Sequence, residues 1–144
     1  AGAQGIVAAE TLAGAETQSI DYSFIPRATY CHPQIASMGL SEQQARDAGH
    51  DIKVATFPFS ANGKAQGLGE GVGFVKVVAD SARNEILGAH MVGAEVTELI
   101  QGYVVAMNLE STEEELMHTV FPPPTLSEMM HESVLDAYGK VIHT

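Results

Sequence analysis

Apolar side chains recur along this chain with two periods, near 3.6 and near 2, and the switches between them predict its elements. In residues 1–14, AGAQGIVAAETLAG, Ile6, Val7, Ala9, Leu12 and Ala13 fall at mixed helical spacing before Gly14, which predicts the end of a helix and its stop. Residues 15–27 are polar and close on Ile25-Pro26, the mark of a linker, with a unit boundary near residue 22. TYCHPQIASMGL is rich in strand formers but interrupted by Pro33, which predicts one strand carrying a bulge or lying at an edge. SEQQARDAG predicts a short helix with Ser41 as N-cap, Gln44 closing a capping box and Gly49 as stop. DIKVATFPF alternates at Ile52 and Val54. After a loop, GFVKVVAD and EILGAHMVG flank the turn-rich SARN as a hairpin. From Glu95 to Asn108, Val96, Leu99, Ile100, Tyr103, Val104 and Met107 share one helical stripe. STEEELMH opens a short helix capped by Ser111 or Thr112, and Leu126, Met130, Val134 and Tyr138 form an i, i+4 row ended by Gly139. The order predicts an α+β fold, an antiparallel β-sheet meander with helices packed on one face.

Composition narrows the function. A chain of 144 residues buries about 70% of its unfolded surface in one core. No apolar run reaches the roughly 18 residues of a membrane span, no basic leader precedes the apolar part of residues 1–14, and Cys31 has no second cysteine to pair with. The expectation is a cytoplasmic chain. Eighteen acidic residues against seven basic, a net charge of -11, oppose binding to nucleic acid and favour a basic protein surface.

The candidate chemistry is sparse. GLGEGVG, residues 67–73, follows the polar SANGKAQ and opens a strand, whereas a phosphate cradle follows a buried strand and opens a helix; it reads as a loop. The histidines at 32, 50, 90, 118, 131 and 143 lack the clustered spacing of metal ligands, so no metal is expected. Cys31 reads as a half-buried structural thiol. Glu113, Glu114 and Glu115 read as a solvated helix start suited to the positive end of the dipole, with an acidic edge for a basic partner as the alternative. TLSE, residues 125–128, satisfies the capping-box pattern, with Thr125 accepting from the backbone at Glu128 and Glu128 reaching back.

PTLSE behind a proline-rich turn resembles the C-terminal motif of the dihydrolipoamide dehydrogenase family of flavin disulfide oxidoreductases. ATYCHPQIASMGLSEQQAR, FPFSANGKAQGLGEGVGFVKVVAD and EILGAHMVGAEVTELIQ resemble further segments of that family in the same order, from Tyr22 to Thr144. The resemblance implies that residues 22–144 are the dimerisation (interface) domain, and that residues 1–21 are the last helix of a flavin-binding region with its linker. It implies a homodimer, with FAD and NAD as cofactors of the parent enzyme but none in this chain alone. The parent's reaction would be oxidation of dihydrolipoamide. It also implies an alternative partner, the basic subunit-binding domain of a 2-oxo acid dehydrogenase acyltransferase.

In that family the motif reads His-Pro-Thr-Leu-Ser-Glu: the histidine is the acid/base for the dithiol and the glutamate orients it. Here Glu128 matches the orienting carboxylate, while Pro123 stands at the histidine position, with Pro123 and Pro124 placed to approach the partner subunit's flavin. His118 precedes the turn and His131 is placed on the helix surface one turn later, so neither replaces it. The isolated chain is expected to be inactive.

Overall fold

Five strands, β1 (Arg27–Thr29), β2 (Gln34–Gly39), β3 (Ile52–Pro58), β4 (Phe74–Asp80) and β5 (Ile86–Gly93), form one antiparallel sheet in the order β1-β2-β5-β4-β3 in the computed structural model, which describes residues 2–141. The meander runs β3-β4-β5, and β2 returns to pair with β5, Ala36 opposite Met91. Two long helices, α4 (Val96–Asn108) and α6 (Glu128–Ala137), pack on one face, α4 against β2 and β5 and α6 against β3 and β4. The α+β class is as expected.

Alternation along β4 divides the two faces. Val75 and Val77 are fully buried under the helices, and Lys76 between them turns to the opposite face, where its Nζ lies 2.8 Å from Glu42 of α2 (Glu42–Asp47). A short helix therefore crosses the far face as well. The core joins Phe57, Phe59 and Met91 of the sheet side to Ile100, Tyr103 and Val134 of the helices, each apolar side chain of this size contributing about 1.5–3 kcal/mol on burial.

Several expectations need correction. Residues 29–40 are not one bulged strand: β1 and β2 pair as a hairpin, Thr29 opposite Ile35, because the proline ring removes the N–H a ladder needs and the chain reverses there. Cys31 lies at that turn and is exposed, not half-buried. The loop after β3 contains a 3-10 turn, Phe59–Ala61, and a helix, α3 (Gly63–Leu68), which the glycines at 63 and 67 concealed. The first helix, α1 (Gly2–Ala13), stops before Gly14 as expected but buries no residue.

The histidines are dispersed. His50 pairs with Asp80 at 2.8 Å, His90 lies 2.9 Å from the Leu40 carbonyl, and His32 and His118 are exposed; His143 lies outside the described residues. Among the described residues no group of histidine, cysteine and carboxylate side chains is arranged to hold a metal, and no helix is long and apolar enough to cross a membrane.

Candidate functional site

Residues 119–127 form a strap between α5 (Glu113–His118) and α6, with Pro122, Pro123 and Pro124 exposed at its crest. Apolar anchors hold both sides. Phe121 stacks on the His131 ring at 5.7 Å between centroids, and Leu126 enters the core.

The strongest polar tie comes from α3. Asn62 is 5% exposed; its Oδ1 accepts from the Ala65 N–H at 2.9 Å as the helix N-cap, and its Nδ2 donates to the Thr125 carbonyl at 3.1 Å. One side chain thus caps a helix and pins the strap.

Glu128 accepts from the Thr125 N–H at 2.9 Å through Oε2. The reciprocal half of the expected capping box is absent. Ser127 is the residue before α6 and has helical dihedrals, φ -63° and ψ -24°, with no side-chain cap, so Thr125 sits too far upstream to accept from the first turn. Its Oγ1 is buried without a hydrogen bond. The two residues should respond oppositely to substitution. Thr125→Val, which removes an unsatisfied hydroxyl at nearly constant shape, is expected to be neutral or stabilising, whereas Asn62→Ala, which removes a cap and a buried hydrogen bond, should cost about 2–3 kcal/mol. Urea midpoints at unchanged slope measure both.

Two clefts flank Glu128. The first, about 240 Å³, is lined by Pro123, Pro124, Glu128, Glu132, Asn62 and Phe57 among others. The second, about 360 Å³, is lined by Phe121, Met117, His118 and His131 with the same two glutamates. His131 is half-buried rather than on the helix surface: its Nε2 lies 2.9 Å from the Met117 carbonyl, an acceptor only, so Nε2 carries the proton and is committed to the backbone. Pro123 brings no titratable group to the first cleft. A carboxylate held by a backbone N–H can orient a proton carrier, and position 123 supplies none.

Nor do these residues cradle a dinucleotide. Gly69 closes α3 at φ +74°, and a Cβ on Gly73 would lie 1.9 Å from the Val92 carbonyl oxygen, so these glycines of GLGEGVG serve a helix stop and a close backbone approach. The loop is as the sequence predicts, not a phosphate cradle.

The acidic start of α5 also departs from expectation. Thr112 and Glu115 form a capping box, but Glu113 is fully buried, because Tyr103 of α4, Lys53 of β3 and Tyr138 at the end of α6 close around it. Burial pushes its carboxyl above the usual range, against the opposing influence of Tyr138 and Lys53.

Comparison with known proteins places this geometry. Residues 25–134 match the family described as pyridine nucleotide-disulphide oxidoreductase, dimerisation domain. The chain is 60% identical over 141 residues to a dihydrolipoyl dehydrogenase of Rhizobium etli, covering 97% of this chain and 29% of that protein. It is 56% identical over 141 residues to the dihydrolipoyl dehydrogenase of Zymomonas mobilis, covering 97% and 30%. It therefore spans about 30% of the length of these relatives. LpdA from Mycobacterium tuberculosis shares the fold, with a TM-score of 0.84 at 23% identity over 92% of this chain and 29% of that one. The strand order, the helix-covered face and the strap at the head of α6 accordingly have one source: the chain belongs to the pyridine nucleotide-disulphide oxidoreductase dimerisation-domain family.

Proposed function

We propose that residues 22–144 are the C-terminal interface domain of a homodimeric, FAD- and NAD-dependent dihydrolipoyl dehydrogenase, and that residues 1–21 are the last helix of its flavin-binding region with the linker. The observation that carries this reading is the strap: Pro122, Pro123 and Pro124 stand exposed at its crest while Asn62 and Glu128 fix its base. A segment so braced and yet uncovered suits presentation to a second subunit. Large apolar side chains on the outer surface, Ile35, Val105, Leu109 and Val120 among them, support self-association. The apolar stripes of α4 and α6 are, by contrast, spent inside the core.

In this role Pro123 and Pro124 approach the partner subunit's flavin, and Glu128 is the orienting carboxylate of a dyad whose proton carrier is missing. The flavin supplies the redox chemistry from elsewhere in the parent enzyme. Alone, the chain oxidises no dihydrolipoamide. Its charge of -11 also supports a second reading, docking of the basic subunit-binding domain of an acyltransferase core.

Exchange of this chain for the corresponding C-terminal region of the Rhizobium etli relative tests the reading. A chimera that purifies as a flavin-loaded dimer is the expected result; one that folds but remains monomeric and takes up no flavin would overturn it.

A further inference from the structure

Glu113 opens α5 with 0% of its surface exposed and with neither carboxyl oxygen in a hydrogen bond of standard geometry. Of the donors around it, the Tyr138 hydroxyl is directed at the carboxyl and works against the effect of burial, while the others are engaged elsewhere. The Tyr103 hydroxyl is 2.7 Å from Ser133 Oγ, and Lys53 Nζ lies 4.2 Å from the centre of the Tyr138 ring and 3.5 Å from Asn84 Oδ1. Lys140, beyond α6, approaches the same ring at 6.0 Å, and Glu114 of α5 also acts on Tyr138. Among the described residues Glu113 forms no ion pair. A neutral acid tolerates such an enclosure, whereas burial disfavours the ionised carboxylate more than Tyr138 and Lys53 favour it.

The helix it opens has few other ties. Its start is held by the Glu113 N–H to the Asn84 carbonyl at 3.0 Å and by the bridge between Glu85 and Thr112. Leu116 enters the core, and the Met117 carbonyl meets His131. Six residues make a helix too short to persist unpacked, and the strap with Pro123 follows directly.

We propose that Glu113 is a proton-dependent latch: with a neutral carboxyl, α5 stays closed over Tyr103, Tyr138 and Lys53, and ionisation releases α5 together with the 119–127 strap. The pH dependence has a definite sign. The carboxyl is raised above its ordinary value in the closed state by burial, so the closed state keeps its full stability below the ordinary carboxyl range and loses it as pH rises through the raised value. Tyr103 and Tyr138 are pushed up, mainly by burial, and so stay protonated throughout.

Amide hydrogen exchange on the purified chain, corrected for intrinsic base catalysis, tests this. Protection at residues 113–127 is expected to fall about tenfold per pH unit between the ordinary carboxyl range and the raised value and to level off above it, while protection in β4 holds. In Glu113→Gln the strap's protection should become independent of pH. Wild-type protection that does not change with pH, or a Gln variant that follows the wild-type fall, overturns the latch. Should that variant not fold, the carbon-13 carboxyl shift of Glu113 in the wild type decides: titration above the ordinary range, together with loss of strap protection, supports the latch, and titration at the ordinary value overturns it. Neither flavin nor dithiol enters these measurements, so their failure would leave the interface-domain reading standing.

Discussion

Pro123→His, made in a chimera of this chain with the flavin- and nucleotide-binding regions of the Rhizobium etli relative, is expected to raise dihydrolipoamide oxidation about 100- to 10,000-fold. The magnitude is that of a positioned acid/base. In the proposed role, proline at 123 leaves the strap without a group to take the thiol proton; an imidazole there would stand five residues before Glu128, whose carboxylate is already fixed by the Thr125 N–H at 2.9 Å. That carboxylate would set the ring's tautomer and favour its charged form. The recovered rate should depend on pH near neutrality, and Glu128→Gln in the same background should remove much of the gain. Equal rates for the proline and histidine forms would show that another group carries the proton.

Gly93→Ala should cost about 3 kcal/mol or more, from overpacking together with a backbone conformation unsuited to a side chain. Gly93 has φ +149°, and a Cβ there would lie 2.4 Å from Cζ of Phe59. The ring cannot yield. Phe59 is fully buried and opens the turn that ends at Asn62, the residue pinning the strap. Damage at the end of β5 should therefore spread to the site. Thermal unfolding should show a midpoint lower by about 10 °C. Gly102→Ala supplies the contrast: its Cβ would meet the Sδ of Met130 at 2.5 Å, the far end of a flexible side chain, and a smaller loss is expected.

What the sequence disclosed, and what it hid, follows the range of the interactions. Ser41 with Gln44 is a contact three residues long, and its capping box is present as read. The β4–β5 hairpin was legible from a local turn between alternating runs. Asn62 escaped notice because its decisive partner, the Thr125 carbonyl, lies 63 residues away. Glu113 was misread for a related reason. Three adjacent glutamates at a helix start suit the dipole equally well, and only the packing of Tyr103 and Tyr138 from other helices buries the first and leaves the second exposed. Thr125 matched a pattern whose spacing was right, but α6 begins two residues later than that pattern assumes. The vacancy at Pro123 is different again. Composition and periodicity are silent on it, and the proposal rests on the resemblance of the flanking PTLSE to the family motif.

Sedimentation equilibrium of the purified chain at about tens of micromolar, where a weak specific dimer is populated, tests the interface-domain account most directly. The account predicts a mass twice that of the 15.2 kDa chain, falling toward the monomer on dilution. A single monomeric species across that range would contradict it.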